Sequence, residues 1–366
     1  MLISNRIGDN KTLAARGQSI SGMSQDQREE LLNDWARGQL AERSIRMLPD
    51  ERLAPASDDA SFRRYFRYQS ESHRYIFVDA PPHKEDSRPF VSIAKQLAEA
   101  GLNAPEVYAV DYRLGFMMLT DLGNRLYLSV FDGEAPTLEG AGEPLYQDAL
   151  VAIHHMQLIT EKLPEYDRLL LQQEMDLFPD WFLKKQLGIS LSGKETEMLN
   201  TVFELLIANA LQQPQVFVHR DFHSRNLMVT SSLNPGIIDF QDAVKGAVTY
   251  DLVSLLRDCY IKFPSAQVTK WVNRFRWLLI ADSRIDEVDE TTFRRWFDLM
   301  GLQRHLKCAG IFCRLHLRDG KPGYLHDIPL VVRYMVEVCA DHEELHRFGN
   351  WLSEAVESRL DPGHYK

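Results

Sequence analysis

The sequence predicts an α+β chain of two lobes, a small antiparallel sheet lobe followed by a larger, mainly helical lobe. Three observations predict it. The 366 residues exceed one typical domain of roughly 100–200 residues. Residues 44–119 carry short aromatic and β-branched runs separated by turn residues. After Thr120-Asp121-Leu122-Gly123 the apolar spacing becomes helical. The expected division is an extension at 1–23, read as disordered, a first lobe at 24–120 and a second at 121–366.

Ser24 followed by Gln27 forms a capping box, and Leu31, Leu32, Trp35 and Leu40 continue an apolar stripe, so a helix opens the first lobe. Strands are expected at 62–68, 74–79, 106–111 and 114–119, after an initial strand ending near Ser57, with a helix at 88–100 inserted before the last two. In the second lobe helices are expected near 144–160, 180–187, 194–213, 249–261, 266–281, 291–318 and 329–358. Only short strands interrupt them, at 216–218, 227–229 and 236–238, and the Gly/Pro-enriched stretch 132–144 reads as a surface loop.

The charge is 42 Lys+Arg against 52 Asp+Glu, a net of −10, which disfavours a surface built for nucleic acid or anionic lipid. No apolar run approaches the roughly 18 residues of a membrane span, and residues 1–22 lack a continuous signal-type core. The four cysteines, Cys259, Cys308, Cys313 and Cys339, have no zinc spacing and read as reduced, buried thiols of a cytoplasmic protein.

The chemistry concentrates in Val218-His219-Arg220-Asp221-Phe222-His223-Ser224-Arg225-Asn226 and, after a short hairpin, Asp239. The hairpin can bring Asn226 and Asp239 together as two oxygen ligands for Mg²⁺ on nucleotide phosphates. Asp221, off the metal, could orient and deprotonate an attacking hydroxyl. H-x-D-x-x-x-x-N followed by a second carboxylate matches the kinase catalytic loop.

This layout, with HRDFHSRN, IIDFQDA and TYDLVSLL, resembles the aminoglycoside phosphotransferase and choline kinase-like superfamily, relatives of protein kinases. SDDASFRRYFR, VDAPP, LTDLG and QRHLKCAGIFCRLHLRDGKPGYLHDIP together resemble the bacterial anomeric N-acetylmuramate/N-acetylglucosamine kinases of peptidoglycan recycling. The resemblance implies a bilobal protein-kinase-like fold that uses ATP and Mg²⁺. It makes Asp221 the catalytic base and Asn226 and Asp239 the metal ligands, with Asp251 bracing the catalytic loop and His219 supporting it. Adenine would lie between the lobes against main-chain groups near Leu119 and Thr120.

Two departures stand out. Ser57-Asp58-Asp59-Ala60-Ser61 replaces a glycine-rich loop, leaving Ser57 and Ser61 as possible phosphate donors. Asp79 stands where the superfamily's strand-three lysine belongs; Arg64, or alternatively Arg63, Arg67 or Lys84, is a candidate replacement. Only eleven residues separate Asp239 from Asp251, too few for an activation loop, so a small acceptor is expected.

Gly301 to Lys321 is locally basic, which suits a carboxylate such as a lactyl group, or a phosphate. Arg304, His305 and Arg314 are the expected substrate contacts. The expected acceptor is a small amino sugar, phosphorylated at C1, its product passing to a uridylyltransferase. Alternatives are a kinase of another alcohol, such as an aminoglycoside, choline or homoserine, and a nucleotide-binding pseudokinase scaffold.

Overall fold

A computed structural model describes residues 22–57, 63–131, 140 and 142–360. Their backbone divides into two compact units, one ending at Gly123 and one beginning at Asn124, with residues 100–103 belonging to the second.

The first unit opens with α1 (Gln25–Ala41), capped as its sequence predicts: the Ser24 N–H donates to Gln27 Oε1 at 2.9 Å and the Gln27 N–H to Ser24 Oγ at 3.3 Å. Five strands follow, β1 (Ala54–Ser57), β2 (Arg64–Gln69), β3 (Arg74–Asp79), β4 (Val107–Asp111) and β5 (Phe116–Thr120), with α2 (Arg88–Glu99) inserted after β3. All pairings are antiparallel, in the order β1-β2-β3-β5-β4. One sheet face packs Phe66, Tyr68, Phe77, Phe116 and Met118 against Leu32, Ala36 and Leu40 of α1. Trp35 sets its ring edge-on to Phe77, centroids 6.0 Å apart.

The second unit contains α3 (Gly142–Met156), α4 (Arg168–Met175), a π-helical segment (Phe178–Gln186) and α5 (Gly193–Gln212). Four short strands follow: β6 (Gln215–Val218), β7 (Leu227–Met228), β8 (Gly236–Ile237) and β9 (Val244–Ala247). The remaining long helices are α6 (Tyr250–Leu256), α7 (Ser265–Ala281), α8 (Glu290–Asp319) and α9 (Ile328–Asp341). β6 pairs with β9 and β7 with β8, both antiparallel. The 30-residue α8 is the central element, burying Phe293, Phe297, Leu302, Leu306, Phe312 and Cys313. At Gly310 a Cβ would stand 2.4 Å from the Leu177 carbonyl carbon, so only glycine lets α8 lie this close to the chain before the π-helical segment.

Several boundaries depart from the sequence reading. The helix expected over 329–358 breaks after Asp341, because His342 adopts an extended backbone and its Nε2 meets Asp298 Oδ2 at 3.2 Å. The helix expected to reach 261 stops at Leu256; Asp258 instead accepts the Tyr260 N–H at 3.0 Å, an Asx-type turn, and the Ser224 N–H at 2.9 Å. α4 and β9 were not expected at all: β9 is four residues containing Lys245 and Gly246, too short and too mixed to register as a strand. Most of 1–23 and of 132–144 lies outside the described residues. All four cysteines are free and buried, and among the described residues no helix is long and apolar enough to cross a membrane.

Candidate active site

β6 ends at Val218, and the chain then turns through His219-Arg220-Asp221 before the β7–β8 hairpin delivers Asn226 and Asp239. Arg220 and Asp239 both have left-handed backbones, φ 77° and 63°, a conformation that costs a non-glycine residue about 1 kcal/mol or more. Named contacts hold each in place.

Asp251, in the first turn of α6, accepts the His219 N–H on Oδ2 at 2.7 Å and the Arg220 N–H on Oδ1 at 3.1 Å. Helix capping is not its role, since Thr249 occupies the cap position. His219 is fully buried. Its Nε2 lies 3.1 Å from the Ile238 carbonyl, and its Nδ1 accepts the Asp221 N–H at 3.3 Å, which places the proton on Nε2. Burial pushes its pKa down to about 4, so the ring is neutral at physiological pH, bonded to the Ile238 carbonyl on one side and to the Asp221 N–H on the other.

Asn226 Nδ2 donates to the Asp221 carbonyl at 3.0 Å and to Asp239 Oδ2 at 3.2 Å, while Gln241 Nε2 donates to Asp239 Oδ1 at 2.8 Å. The hairpin thus brings together the two predicted metal ligands. Their contact runs through the amide nitrogen; with the Asn226 amide turned over, its oxygen and the Asp239 carboxylate would be hard oxygen donors suited to Mg²⁺ that retains its waters. Among the described residues there is no group of three or more His, Cys, Asp or Glu side chains that could hold a metal.

Asp221 faces a pocket of about 340 Å³, lined also by Leu170, Glu174, Arg220, Lys307, Ile311 and Arg314. Burial opposes ionisation of Asp221, but the positive charge of Lys307, then Arg304 and Arg220, outweighs it and holds the carboxylate well below the usual range. Glu174 anchors the cations: Arg220 pairs with its Oε1, Lys307 Nζ lies 3.2 Å from the same oxygen, and the Tyr166 hydroxyl donates to Oε2. Lys307 also donates to the Tyr250 hydroxyl at 3.2 Å.

Of the three expected substrate contacts, only Arg314 lines this pocket. The expectation that Arg304 and His305 contact the substrate needs correction: Arg304 is buried and donates to Cys259 Sγ at 3.2 Å, while His305 stacks on Tyr334, centroids 4.9 Å apart, and bonds the Arg257 carbonyl at 3.0 Å. Glu174 and Lys307 escaped sequence reasoning. Lys307, Ile311 and Arg314 follow i, i+4, i+7 spacing, the one signal that could have found the pocket face of α8.

In the first unit, Arg64 is already committed. It donates to Asp79 Oδ2 at 2.7 Å, and Arg28 Nε reaches Asp79 Oδ1 at 2.9 Å. Arg67 pairs with Asp121 at 2.7 Å and Arg63 with Glu85 at 2.7 Å. Asp79, fully buried, is therefore the centre of an ion cluster where the superfamily pattern has a lysine. Leu119 lies within the sheet ladder, and the Thr120 N–H donates to the Glu106 carbonyl at 3.0 Å. The side chain of Ser57 and all of Ser61 lie outside the described residues.

Residues 52–286 match the model of the phosphotransferase enzyme family. The chain is similar to the N-acetylmuramate/N-acetylglucosamine kinase of Pseudomonas aeruginosa, 42% identical over 90% of this chain and 98% of that protein. It is also similar to the kinase of the same name from Neisseria meningitidis, 39% identical over 92% and 99%. Among solved structures, an ADP-bound aminoglycoside phosphotransferase, APH(2'')-Ib, matches with a TM-score of 0.53 at 17% identity, covering 83% of this chain and 99% of that one. Plasmodium vivax ethanolamine kinase matches at 0.55 and 11% identity, covering 88% and 96%. These two share its fold, the bilobal α+β fold expected from the sequence.

Proposed function

Because the chain belongs to the phosphotransferase enzyme family, we propose that it transfers the γ-phosphoryl group of ATP to the C1 hydroxyl of N-acetylmuramate or N-acetylglucosamine. The observation that carries this reading is the Asp221 carboxylate at the wall of a pocket of about 340 Å³. That volume is near the low end of the roughly 300–1,000 Å³ of ligand pockets and accommodates one sugar ring. The names of its relatives supply the sugar.

In the proposed reaction Asp221 orients the C1 hydroxyl and accepts its proton as the oxygen bonds to phosphorus and the bond to ADP breaks. A carboxylate this acidic is a weak base. It suffices because the transition state is loose, so proton removal is late, and because a hemiacetal hydroxyl is more acidic than a simple alcohol. Asn226 and Asp239 would hold Mg²⁺, whose charge would offset that of the phosphates. Asp251 and His219 position the loop on which Asp221 lies. The sugar 1-phosphate so formed suits a uridylyltransferase, which places the reaction in cytoplasmic recycling of cell-wall sugars.

The test is a panel of N-acetylmuramate, N-acetylglucosamine, kanamycin and choline with ATP and Mg²⁺, following ADP release together with reducing-end reactivity. Loss of the reducing end in step with ADP supports C1 transfer. ADP release with the reducing end intact, or none with either sugar, overturns it.

A further inference from the structure

Three cations, Arg220, Lys307 and Arg314, and three carboxylates, Glu174, Asp221 and Asp242, line the pocket, and of the cations Arg314 makes no ion pair among the described residues. Glu174 is shared by Arg220 and Lys307. Arg314, one turn beyond Ile311 on the same face of α8, has its Nε buried with no hydrogen-bond partner among the described residues. The carboxylates nearest to it are already engaged, Asp319 by Arg318 at 2.7 Å and Glu174 by the two cations above. The same wall includes the apolar Leu177 and Ile311. A half-buried guanidinium without a counter-charge is poorly solvated, and a planar carboxylate, accepting two parallel N–H bonds, is the group that matches it best.

We propose that Arg314 binds the lactyl carboxylate of N-acetylmuramate and so sets a preference for the acidic amino sugar over neutral N-acetylglucosamine. This rests on the pocket being the acceptor site. The carboxylate sits on the ether substituent at C3, away from the reacting C1, so one end of the sugar is held at α8 while the other meets Asp221. Lys307 contributes less to this recognition, because Glu174 and Tyr250 already occupy its ammonium.

The experiment measures kcat/KM for both sugars and for the methyl ester of N-acetylmuramate, in the wild-type protein and in Arg314→Ala and Arg314→Lys. A charge-assisted hydrogen bond lost on truncation predicts that Arg314→Ala lowers the N-acetylmuramate to N-acetylglucosamine ratio about tenfold or more. Lysine, keeping the charge without the fork, restores only part of it. Esterification should cost the wild type a similar factor and the alanine variant little. An unchanged ratio in both variants, or equal losses on both sugars, overturns the role of Arg314 while leaving the kinase reading standing. A wild type that phosphorylates neither sugar overturns both.

Discussion

Replacing Asp251 by alanine removes the acceptor of two backbone N–H groups, those of His219 and Arg220, bonded at 2.7 and 3.1 Å. Both belong to the turn that presents Asp221, and Arg220 there has a φ of 77°. A buried donor left without a partner costs about 1–3 kcal/mol, so the pair predicts a loss of roughly 2–6 kcal/mol. For a chain of 366 residues, at roughly 2.1 cal/mol/K of unfolding entropy per residue, that lowers the melting temperature by roughly 3–8 °C. The turn should also relax from its left-handed conformation, so kcat falls by more than stability alone explains when both proteins are assayed well below their melting points. Asparagine restores one acceptor but sets an NH₂ group against the second N–H, so Asp251→Asn should fall between. Thermal unfolding by circular dichroism and steady-state ADP release measure the two effects. A melting point within about 1 °C of wild type together with unchanged kcat would refute the bracing role.

Asp79→Ala leaves Arg28 and Arg64 facing each other without their shared carboxylate, and a broken buried pair costs about 3–5 kcal/mol. Asp79→Lys, which recreates the superfamily pattern, places three cations together and should be worse than alanine; a lysine variant as stable and active as wild type would contradict the cluster's role. For pH, burial lowers His219 to about 4, below its unfolded value near 6.5. Between these values the unfolded chain binds the extra proton, so the His219 contribution to stability drops as pH falls from about 6.5 to about 4. Burial raises Asp251 to about 7, which acts with the opposite sign in the same range, so the His219 slope is read as the difference in denaturant midpoints between wild type and His219→Gln. Asp221, held below the usual carboxylate range, stays ionised throughout the same window and contributes no acid limb to kcat while the protein remains folded.

The catalytic segment was legible because its chemistry lies in local spacing: Asp221, Asn226 and Asp239 fall within nineteen residues joined by one hairpin. The first-unit ion cluster was half legible. A β2–β3 hairpin turning at residues 70–73 sets Arg64 directly opposite Asp79, a pairing that register arithmetic yields without coordinates and that the choice of Arg64 as a phosphate ligand did not take into account. The second partner, Arg28, arrives from α1, and no local pattern encodes it. The pocket was least legible. Its wall combines Glu174 from the unexpected α4 with Arg220 and one stripe of α8, and on a helix buried on most sides the sequence does not say which basic residues turn inward. Arg304 and His305 lie on the same helix as Lys307 and Arg314, but packing against Cys259 and Tyr334 takes them elsewhere.

The most direct measurement is kcat for Asp221→Asn with saturating ATP, Mg²⁺ and N-acetylmuramate, alongside ATP binding by calorimetry. Loss of a general base that also orients the acceptor predicts a fall of about 10²–10⁴-fold with ATP affinity within a few-fold of wild type. A variant that turns over within about twofold of wild type would contradict the assignment of Asp221 as the residue that activates the sugar hydroxyl.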